Sequence, residues 1–327
     1  MNVVVVGYGA IGVIHAKTID EIEGVILYGI CDIIKERADE AALKYNTKAF
    51  YDYDECLKDE NVDYVHICTP HYIHYEMITK ALDSGKRVVV EKPAVMTKKE
   101  LDVLYSKYDI KKIFPIFQNR TNLCITELQK RIRENEDLGK LKGIKAIVTW
   151  SRDKAYYTND DWHGRKAKEG GGVLINQALH TLDLMMLFGG KAESVCSCAG
   201  NFSLKNVIEV EDTLSAFINY KNGAKGIFFA TNAYSKNSAI EVELHFENRT
   251  FSYRGAKLYE NEEYICSDSD EFEGKKYWGA GHKKTLCDLY ARGSKLCLDD
   301  VRDTLVVLFA IYKSAKGGKS REITIDE

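Results

Sequence analysis

The chain has 327 residues, which is enough for about two domains and a sizeable core. Its formal net charge is -3, so no basic field favours nucleic acid, and we expect a small-molecule substrate. No stretch approaches the roughly 20 apolar residues that span a bilayer, and no basic segment precedes the first apolar run. Nine cysteines without a CxxC pair argue against a disulfide framework or a metal site. We therefore expect an untargeted cytoplasmic protein with no metal and no membrane or nucleic-acid partner.

The first half of the chain alternates apolar runs with segments of helical spacing. Predicted strands cover residues 2–6, 25–31, 49–50, 64–69, 88–91 and 113–117. Predicted helices follow the first strand and cover 35–45, 54–57, 74–84 and 98–108. This repeated βα unit predicts an α/β fold, with a doubly wound parallel sheet of the Rossmann type over residues 1–120.

A glycine-rich loop, Gly7-Tyr8-Gly9-Ala10-Ile11-Gly12, joins the first strand to its helix. The first glycine allows a tight turn, the second lets the backbone approach a pyrophosphate, and the third allows close helix–strand packing. Helix N-terminal N–H groups then face the anion. The sequence therefore predicts a dinucleotide site whose contacts are Gly7, Gly9, Ala10, Ile11 and Gly12.

Asp32 ends the second strand, twenty residues beyond Gly12, where the acid that binds the adenosine ribose is expected. A carboxylate there accepts hydrogen bonds from both ribose hydroxyls and repels a 2′-phosphate. NAD is therefore the predicted cofactor, and NADP is disfavoured. The other interpretation of Asp32 is a helix N-cap.

The run Val88-Val89-Val90 predicts a strand buried on both faces, and Glu91-Lys92-Pro93 follows at its carboxyl end. Ligands bind at that end of an open α/β sheet. Pro93 restrains Lys92 toward extended geometry, so the lysine leaves the strand in a defined direction. The other interpretation is a strand followed by a solvated charge pair.

The combined pattern resembles the Gfo/Idh/MocA family of nicotinamide-dependent oxidoreductases over nearly the whole chain. The resemblance is carried by the GxGxxG loop, Asp32, Thr69-Pro70 followed by His74, Gly85-Lys86 and Glu91-Lys92-Pro93. It implies that Lys92 reaches the nicotinamide and the substrate. It also implies that the cofactor is lined by Thr69, Pro70, His74 and Glu91.

Gln118-Asn119-Arg120 stands at the predicted domain boundary. Family members often carry a similar polar triplet near the nicotinamide end. The resemblance therefore implies cofactor contacts for Gln118 and Asn119 and a substrate contact for Arg120. A solvated linker is the other interpretation.

Aromatic and polar residues are concentrated between residues 152 and 165. Rings offer apolar platforms to the C–H faces of sugars, while Asp, Arg and His bond the hydroxyls. Tyr157, Trp162 and Arg165 are the candidate substrate contacts, and a loop at a subunit interface is the alternative.

A later Gly281-His282 segment resembles a family segment near the substrate, so His282 either lies there or caps a helix.

Gly170-Gly171-Gly172 opens a helix on which Asn176 and His180 are four residues apart and share one face. A lone histidine on such a helix is more often a core residue, but the glycines and the family pattern favour catalysis. The family often has an aspartate at the position of Asn176. An amide cannot take a proton, so Asn176 orients a hydroxyl while His180 and Lys92 share proton transfer. This departure favours modified or nucleotide-linked sugars over an inositol.

Residues 121–327 predict an α+β domain for substrate binding and oligomerisation. Predicted strands cover 144–150, 194–199, 212–219, 224–230, 239–246, 249–253, 256–259 and 322–325, and predicted helices include 123–135 and 300–315. We expect a large, mostly antiparallel, open-faced sheet with one face covered by the Leu179 helix. Phe217, Phe228 and Phe229 make the other face apolar, which predicts a homodimer or homotetramer.

These features predict an NAD-dependent dehydrogenase that acts on a CH–OH group of a sugar, cyclitol or sugar derivative. Two alternatives stay open. One is a glycoside-cleaving enzyme that retains NAD and oxidises C3 transiently, and the other is a non-catalytic regulator that binds NAD or a sugar.

Overall fold

The computed structural model describes residues 1–268, 281–292, 296–318 and 320–325. It contains two compact units. The first comprises Met1–Gln118 and the described residues of the later segment 271–301, and the second comprises the described residues of 119–270 and 302–327. The sequence predicted a single cut after residue 120, whereas the chain returns to the first unit before its last helix.

The first unit is built from alternating strands and helices that follow the predicted βα order. Its elements are β1 Asn2–Val6, α1 Ala10–Asp20, β2 Ile26–Cys31, α2 Lys35–Tyr45, β3 Lys48–Phe50, α3 Tyr53–Lys58, β4 Tyr64–Ile67, α4 His71–Asp83, β5 Arg87–Val90, α5 Lys98–Lys107 and β6 Ile113–Pro115. The six strands pair in parallel in the order β3-β2-β1-β4-β5-β6. This is the doubly wound Rossmann arrangement, so the predicted fold of the first half is confirmed.

The core of this sheet explains why the strands form where they do. Val3, Val5 and Val89 are fully buried, as β-branched side chains in a parallel sheet covered on both faces are expected to be. A helix from later in the chain, α10 (Gly281–Arg292), adds Leu286 and Tyr290 to the same core and packs against α1. The apolar face of α10 was predictable from its sequence, but the unit against which it packs was not.

The second unit contains a nine-stranded sheet and the helices that cover it. Its elements are α6 Leu123–Glu134, β7 Leu141–Thr149, α7 Lys154–Thr158, α8 Lys166–Glu169, a π-helix Leu174–Ala178, α9 Leu179–Gly189, β8 Ala192–Gly200, β9 Thr213–Tyr220, β10 Lys225–Thr231, β11 Glu241–Phe246, β12 Thr250–Arg254, β13 Lys257–Glu260, β14 Glu263–Ser267, α11 Arg302–Ser314 and β15 Ile323–Thr324. The strand order is β14-β13-β12-β11-β7-β10-β9-β8-β15. Only β7 and β10 pair in parallel among these described strands. The predicted mostly antiparallel sheet is confirmed.

One strand, β14, was not predicted from the sequence. It is a half-exposed edge strand, and its residues lack the alternation of apolar and polar side chains that marks a strand with one buried face. Its pairing with β13 after a two-residue turn is therefore decided by the hairpin and not by burial.

The two faces of the large sheet differ in what covers them. Helix α9 packs on β7, β10 and β11, and α11 packs on β8. On the opposite face, Phe217 and Ile227 are directly paired across β9 and β10 and are 41% and 58% exposed. The sequence interpretation placed Phe228 on that face, which was wrong. Because side chains alternate along a strand, Phe228 points into the core and is fully buried.

Within the described residues, no helix is both long enough and apolar enough to cross a membrane. All nine cysteines are free thiols. Among the described side chains, no three or more of His, Cys, Asp and Glu are grouped so that they could hold a metal ion.

Candidate active site

The glycine loop after β1 has one glycine that the fold does not require. Gly7 has a φ of +87°, and a Cβ on Gly12 would lie 2.0 Å from the Gly7 carbonyl oxygen. Both positions therefore need glycine for the turn and for close packing. Gly9 has a φ of -84° and has no atom within 4 Å of the position of an added Cβ. Gly9 thus leaves open space at the start of α1, where Ala10 and Ile11 form the first turn.

Asp32 is tied to this loop by its carboxylate. Its Oδ2 accepts a hydrogen bond from Tyr8 N at 2.7 Å, and its Oδ1 accepts one from Ile34 N at 2.8 Å. The N-cap of α2 is Ile34, so Asp32 does not occupy the N-cap position that the sequence left open. A carboxylate oxygen can accept more than one hydrogen bond, so Asp32 retains acceptor capacity beside the loop.

His74 joins the two loops that follow β4 and β5. It is fully buried, with Nδ1 2.8 Å from the Pro93 carbonyl oxygen and Nε2 2.8 Å from the Thr69 carbonyl oxygen. Burial lowers the pKa of His74 even though both carbonyls favour the charged ring. A neutral imidazole has one N–H, so it donates to one of these carbonyls at a time. His74 thereby holds Thr69-Pro70 near Pro93, which follows Lys92 through a cis peptide bond.

Glu91 is a buried carboxylate that is held from several sides. Its Oε1 lies 3.1 Å from His15 Nε2 and 3.5 Å from His282 Nε2, and its Oε2 accepts a hydrogen bond from Lys92 N at 3.3 Å. Burial opposes its ionisation, but the hydrogen bonds from the two histidines outweigh burial and hold the pKa of Glu91 well below its usual value. The backbone at Lys92 therefore leaves β5 from a fixed anchor, and the lysine side chain is half-buried.

The contact between His15 and Glu91 continues into the core. His15 Nδ1 lies 2.9 Å from His66 Nδ1, and His66 Nε2 lies 2.5 Å from the Tyr290 hydroxyl. If a neutral His15 donates from Nε2 to the carboxylate, its Nδ1 accepts, so His66 donates from Nδ1 and accepts from the tyrosine. Burial lowers the pKa of His66 well below its usual value, which keeps the ring neutral as this arrangement requires.

In the second unit, Arg120 is engaged in a buried ion pair. Its Nε and Nη2 donate to the two oxygens of Asp183 at 2.7 and 2.6 Å, and Thr304 Oγ1 donates to the same carboxylate at 2.8 Å. The Asp183 side chain is 1% exposed and the Arg120 side chain 13%. A bidentate pair of this kind fixes the guanidinium in place. Contact of Arg120 with a substrate stays a prediction, as do the cofactor contacts of Gln118, which is buried, and Asn119.

The aromatic segment contains a chain of buried polar contacts around Tyr157. Asn232 Nδ2 donates to the Tyr157 hydroxyl at 3.0 Å and to Gln177 Oε1 at 3.1 Å. Gln177 Nε2 in turn donates to the Tyr156 hydroxyl at 3.2 Å. Burial, followed by the charge of Glu169, raises the pKa of Tyr157, so its hydroxyl stays neutral.

The other two candidates in this segment lie in different surroundings. The Trp162 ring is tilted against His163, with a centroid distance of 3.7 Å. Arg165 is exposed and lies 3.3 Å from Glu209. Their contacts with a substrate stay predictions.

The triglycine is required by close packing at two of its three positions. A Cβ on Gly171 would lie 2.0 Å from the Tyr312 hydroxyl, and one on Gly172 would lie 1.9 Å from the Glu211 carbonyl oxygen. The Glu211 carboxylate accepts hydrogen bonds from Gly172 N and Leu174 N at 2.9 and 3.2 Å. These contacts anchor the start of the π-helix, a form of helix that is frequent at functional sites.

The two candidate catalytic residues of this segment lie on successive helical forms. Asn176 lies in the π-helix, and His180 lies in the first turn of α9. Asn176 Nδ2 donates to Glu169 Oε1 at 2.5 Å, and Gly164 N donates to Glu169 Oε2, also at 2.5 Å.

The structure thus brings several predicted residues together within the first unit. Asp32 lies beside the glycine loop, and His282 lies beside Glu91 with 5% exposure. The substrate contact predicted for His282 stays a prediction.

Sequence reasoning missed the partners that hold these residues: His15, His66, Tyr290, Glu169 and Asp183. A general signal was present, since a titratable side chain in a segment predicted to be buried needs a partner.

Comparison with known protein families identifies the family to which this chain belongs. Residues 1–112 match the Gfo/Idh/MocA model, described as an oxidoreductase family with an NAD-binding Rossmann fold. Residues 126–252 match the model of the Gfo/Idh/MocA C-terminal domain. The chain belongs to the Gfo/Idh/MocA oxidoreductase family. It is therefore an NAD-dependent oxidoreductase, and the open space at Gly9 beside the Asp32 carboxylate fits that cofactor.

Several named relatives resemble this family member along most of their length. It is 24% identical over 282 residues to levoglucosan dehydrogenase of Pseudarthrobacter phenanthrenivorans, covering 77% of this chain and 72% of the relative. It is 27% identical over 251 residues to myo-inositol 2-dehydrogenase of Thermotoga maritima, covering 74% and 72% of the two chains. The fold superposes on the WlbA dehydrogenase from Bordetella pertussis, solved with NADH and UDP-GlcNAcA, with a TM-score of 0.85, 24% identity and coverage of 100% and 99%.

Proposed function

We propose that this protein transfers a hydride between NAD and a hydroxyl-bearing carbon of a sugar, a cyclitol or a sugar derivative. The observation that carries the proposal is the anchoring of Glu91, whose buried carboxylate is held by His15, His282 and the backbone N–H of Lys92. The anchor fixes the backbone at Lys92 at the carboxyl end of β5, the edge of the sheet where ligands bind. Relatives named as dehydrogenases of levoglucosan and of myo-inositol support the substrate class.

The roles of the first unit's residues follow from their placement. The loop from Gly7 to Gly12 would hold the cofactor pyrophosphate, and Asp32 would accept hydrogen bonds from the adenosine ribose. Thr69, Pro70 and Glu91 would line the cofactor. His74, which is buried between two carbonyls, would act by holding their loops. When bound, NAD supplies the hydride acceptor or donor.

The protein's own residues would then handle the substrate proton. We propose that Lys92 and His180 share proton transfer with the substrate hydroxyl, and that the Lys92 ammonium stabilises negative charge on its oxygen. Asn176 cannot accept a proton, so its part is to orient the substrate. A positioned acid or base contributes about 10²- to 10⁴-fold to a rate.

We also propose that a second copy of the chain covers the exposed face of the large sheet. Phe217 and Ile227 are adjacent across β9 and β10, and Phe229 continues the same face toward Tyr234, with ring centroids 6.5 Å apart. A contiguous apolar face on a sheet is typical of an interface. A self-complementary sheet face predicts a dimer, or a tetramer built from dimers.

The substrate proposal is tested by NADH formation on a panel of sugars, cyclitols, glycosides and nucleotide-linked sugars, with the purified protein first checked for retained cofactor. A substrate-dependent increase in NADH absorbance, measured with NAD as the cofactor, supports the proposal. Glycoside cleavage without net NADH would instead support transient oxidation with a retained cofactor. NAD binding without turnover on any member of the panel would contradict an enzymatic role.

A further inference from the structure

Glu169 is a carboxylate buried between two candidate parts of the substrate site. It ends α8 and is fully buried. Its Oε1 lies 2.5 Å from Asn176 Nδ2, and its Oε2 lies 2.5 Å from the backbone nitrogen of Gly164. Both partners are donors, so each carboxylate oxygen is satisfied by a charge-assisted hydrogen bond.

This contact determines which way the Asn176 amide is turned. The oxygen and the nitrogen of an asparagine amide have nearly the same size, but only the nitrogen carries hydrogen. Turning the amide over would place the Asn176 oxygen 2.5 Å from a carboxylate oxygen, and two acceptors at that distance repel each other. Because oxygen and nitrogen diverge from one carbon, Oδ1 is directed away from Glu169.

The second contact joins the same carboxylate to the aromatic segment. Gly164 lies between the candidate substrate residues Trp162 and Arg165. It has a φ of +73°, and a Cβ there would lie 2.5 Å from Ile208 Cγ2, so its backbone has little freedom to move. Glu169 thus sets the orientation of the Asn176 amide relative to the aromatic segment.

We infer that Glu169 is a positioning residue that locks Asn176 so that its amide oxygen, and not its nitrogen, faces the substrate. The substrate therefore presents a donor there, a hydroxyl or an N–H group, and a substrate with only a carboxylate or a carbonyl at that place is rejected. This inference rests on the proposed function, because it takes Asn176 as a substrate contact.

The lock also explains why an amide suits position 176. An aspartate there would place two carboxylates 2.5 Å apart, and like charges at such a distance cannot both ionise. The pair would then share one proton, and its net charge would depend on pH. With Asn176, the charge at this point of the site stays constant.

Two variants and their combination test the lock. Glu169→Gln keeps the shape, but the introduced side chain has one acceptor oxygen and cannot accept from both Asn176 and Gly164, so residue 169 no longer holds the Asn176 amide in one orientation. A misplaced orienting group can cost about 10²-fold in rate, so kcat/KM falls by about 10²-fold while the Kd for NAD stays unchanged. Asn176→Asp alone gives a protein whose Tm rises relative to that of the unmodified protein as the pH falls from 8 to 5.

The combined variant Glu169→Gln, Asn176→Asp restores both hydrogen bonds of residue 169. The bond to residue 176 then has its donor and acceptor exchanged, while the bond to Gly164 keeps its direction. The nitrogen of the introduced glutamine donates to the introduced aspartate, and the glutamine oxygen accepts from Gly164. The second oxygen of the aspartate again faces the substrate as an acceptor. The Tm difference from the unmodified protein then no longer changes with pH, and kcat/KM returns to within about tenfold of the starting value. The nearby titratable groups Tyr157 and Tyr312 stay neutral in this range, because burial raises the pKa of both hydroxyls.

A matched control is Asp212→Asn, which removes the charge of another fully buried carboxylate in the same unit. Asp212 accepts hydrogen bonds from the backbone nitrogens of Phe202, Ser203 and Leu204 and does not contact the candidate site residues through them. It is expected to lower the Tm without changing kcat/KM. A Glu169→Gln variant that behaves like this control, or a combined variant in which the two single effects simply add, overturns the inference.

The measurements also separate this inference from the proposed function. If the unmodified protein turns over sugars and Glu169→Gln turns them over equally well, the lock is wrong and the function stands. If the Tm values show the coupling but no sugar is turned over, the contact between the two residues stands, and both the function and the presentation of the amide oxygen to a substrate are contradicted.

Discussion

His15 Nε2 lies 3.1 Å from Glu91 Oε1, and both side chains are buried in the first unit. The glutamate is adjacent in sequence to the candidate catalytic lysine, while the histidine lies on the helix that begins at the glycine loop. One hydrogen bond therefore connects the predicted pyrophosphate-binding helix to the predicted catalytic strand end. His15 also contacts the buried His66, and burial of that ring makes the stability of the folded protein depend on pH.

The first prediction is that the protein loses stability in acid through His66. The pKa of His66 is well below its usual value of 6.5 because the ring is buried. The unfolded chain therefore binds a proton that the folded chain does not, so this stabilisation is complete above pH 6.5 and is lost as the pH falls. The lowered pKa of Glu91 acts with the same sign below its usual value of 4.5.

One proton is worth about 1.4 kcal/mol per pH unit. We expect the free energy of unfolding of the unmodified protein to fall between pH 6.5 and 5 more steeply than that of His66→Asn. The difference between the two slopes should be at most about 1.4 kcal/mol per pH unit. Denaturant titrations at several pH values measure it. His245→Asn, at a half-exposed position, is the control for the removal of a histidine that is not buried. Equal slopes for the unmodified protein and His66→Asn would contradict the buried neutral ring.

The second prediction separates two glycines of the same loop. Gly9→Ala meets no atom within 4 Å, so the Tm should change little, while the new methyl group fills the space that the pyrophosphate needs. We expect the Kd for NAD to rise at least tenfold. Gly12→Ala places a Cβ 2.0 Å from the Gly7 carbonyl oxygen and should cost about 3 kcal/mol or more of stability. Thermal melts and calorimetric NAD titrations distinguish them, and a Gly9→Ala variant that binds NAD normally would argue against this loop as the site.

The third prediction concerns the choice of cofactor. Asp32→Asn keeps an acceptor for Tyr8 N but removes the negative charge that opposes a 2′-phosphate. Hydrogen bonds to a charged group are worth about 1.5–3 kcal/mol. The ratio of kcat/KM for NAD to that for NADP should therefore fall by about 10- to 100-fold. An unchanged ratio, measured with both cofactors on one substrate, would show that Asp32 does not face the ribose.

The fourth prediction concerns the exposed sheet face. Phe217→Glu combined with Ile227→Glu places charges at two adjacent exposed positions and should convert the assembly to monomers without unfolding the chain. Sedimentation velocity at micromolar concentration measures the change. Leu43→Glu, at an 87% exposed position on α2, is the control and leaves the assembly intact. A clean monomer before any substitution would contradict the proposed interface.

Local sequence pattern was sufficient for much of the fold. The run Val88 to Val90, the glycine loop and the spacing of Asp32 each depend on residues close together in sequence. Strand β5, the loop after β1 and the end of β2 lie within about one residue of the predicted positions, whereas β4 and β6 end before the predicted residues 69 and 117. The exposed pair Phe217 and Ile227 shows the limit of such patterns. Phe228 was assigned to the wrong face because the apolar run 227–229 has apolar residues on both sides of the strand.

The partners of the site residues could not be predicted in the same way. His66 and Tyr290 are 224 positions apart, and Arg120 and Asp183 are 63 apart. No periodicity connects such positions, because their meeting depends on the complete packing of each unit. Glu169 is nearer to Asn176, but its side chain faces the amide only because the triglycine and the π-helix turn the chain between them.

The most direct test of the proposed function is turnover by Lys92→Ala beside Lys98→Ala, which replaces a half-exposed lysine on α5 that pairs with Asp102. Both variants are assayed for NADH formation on the best substrate of the panel and for NAD affinity. We predict that Lys92→Ala loses about 10²- to 10⁴-fold in kcat with its NAD affinity retained, while Lys98→Ala stays fully active. Turnover by Lys92→Ala close to that of the unmodified protein would contradict the proposed role of this lysine.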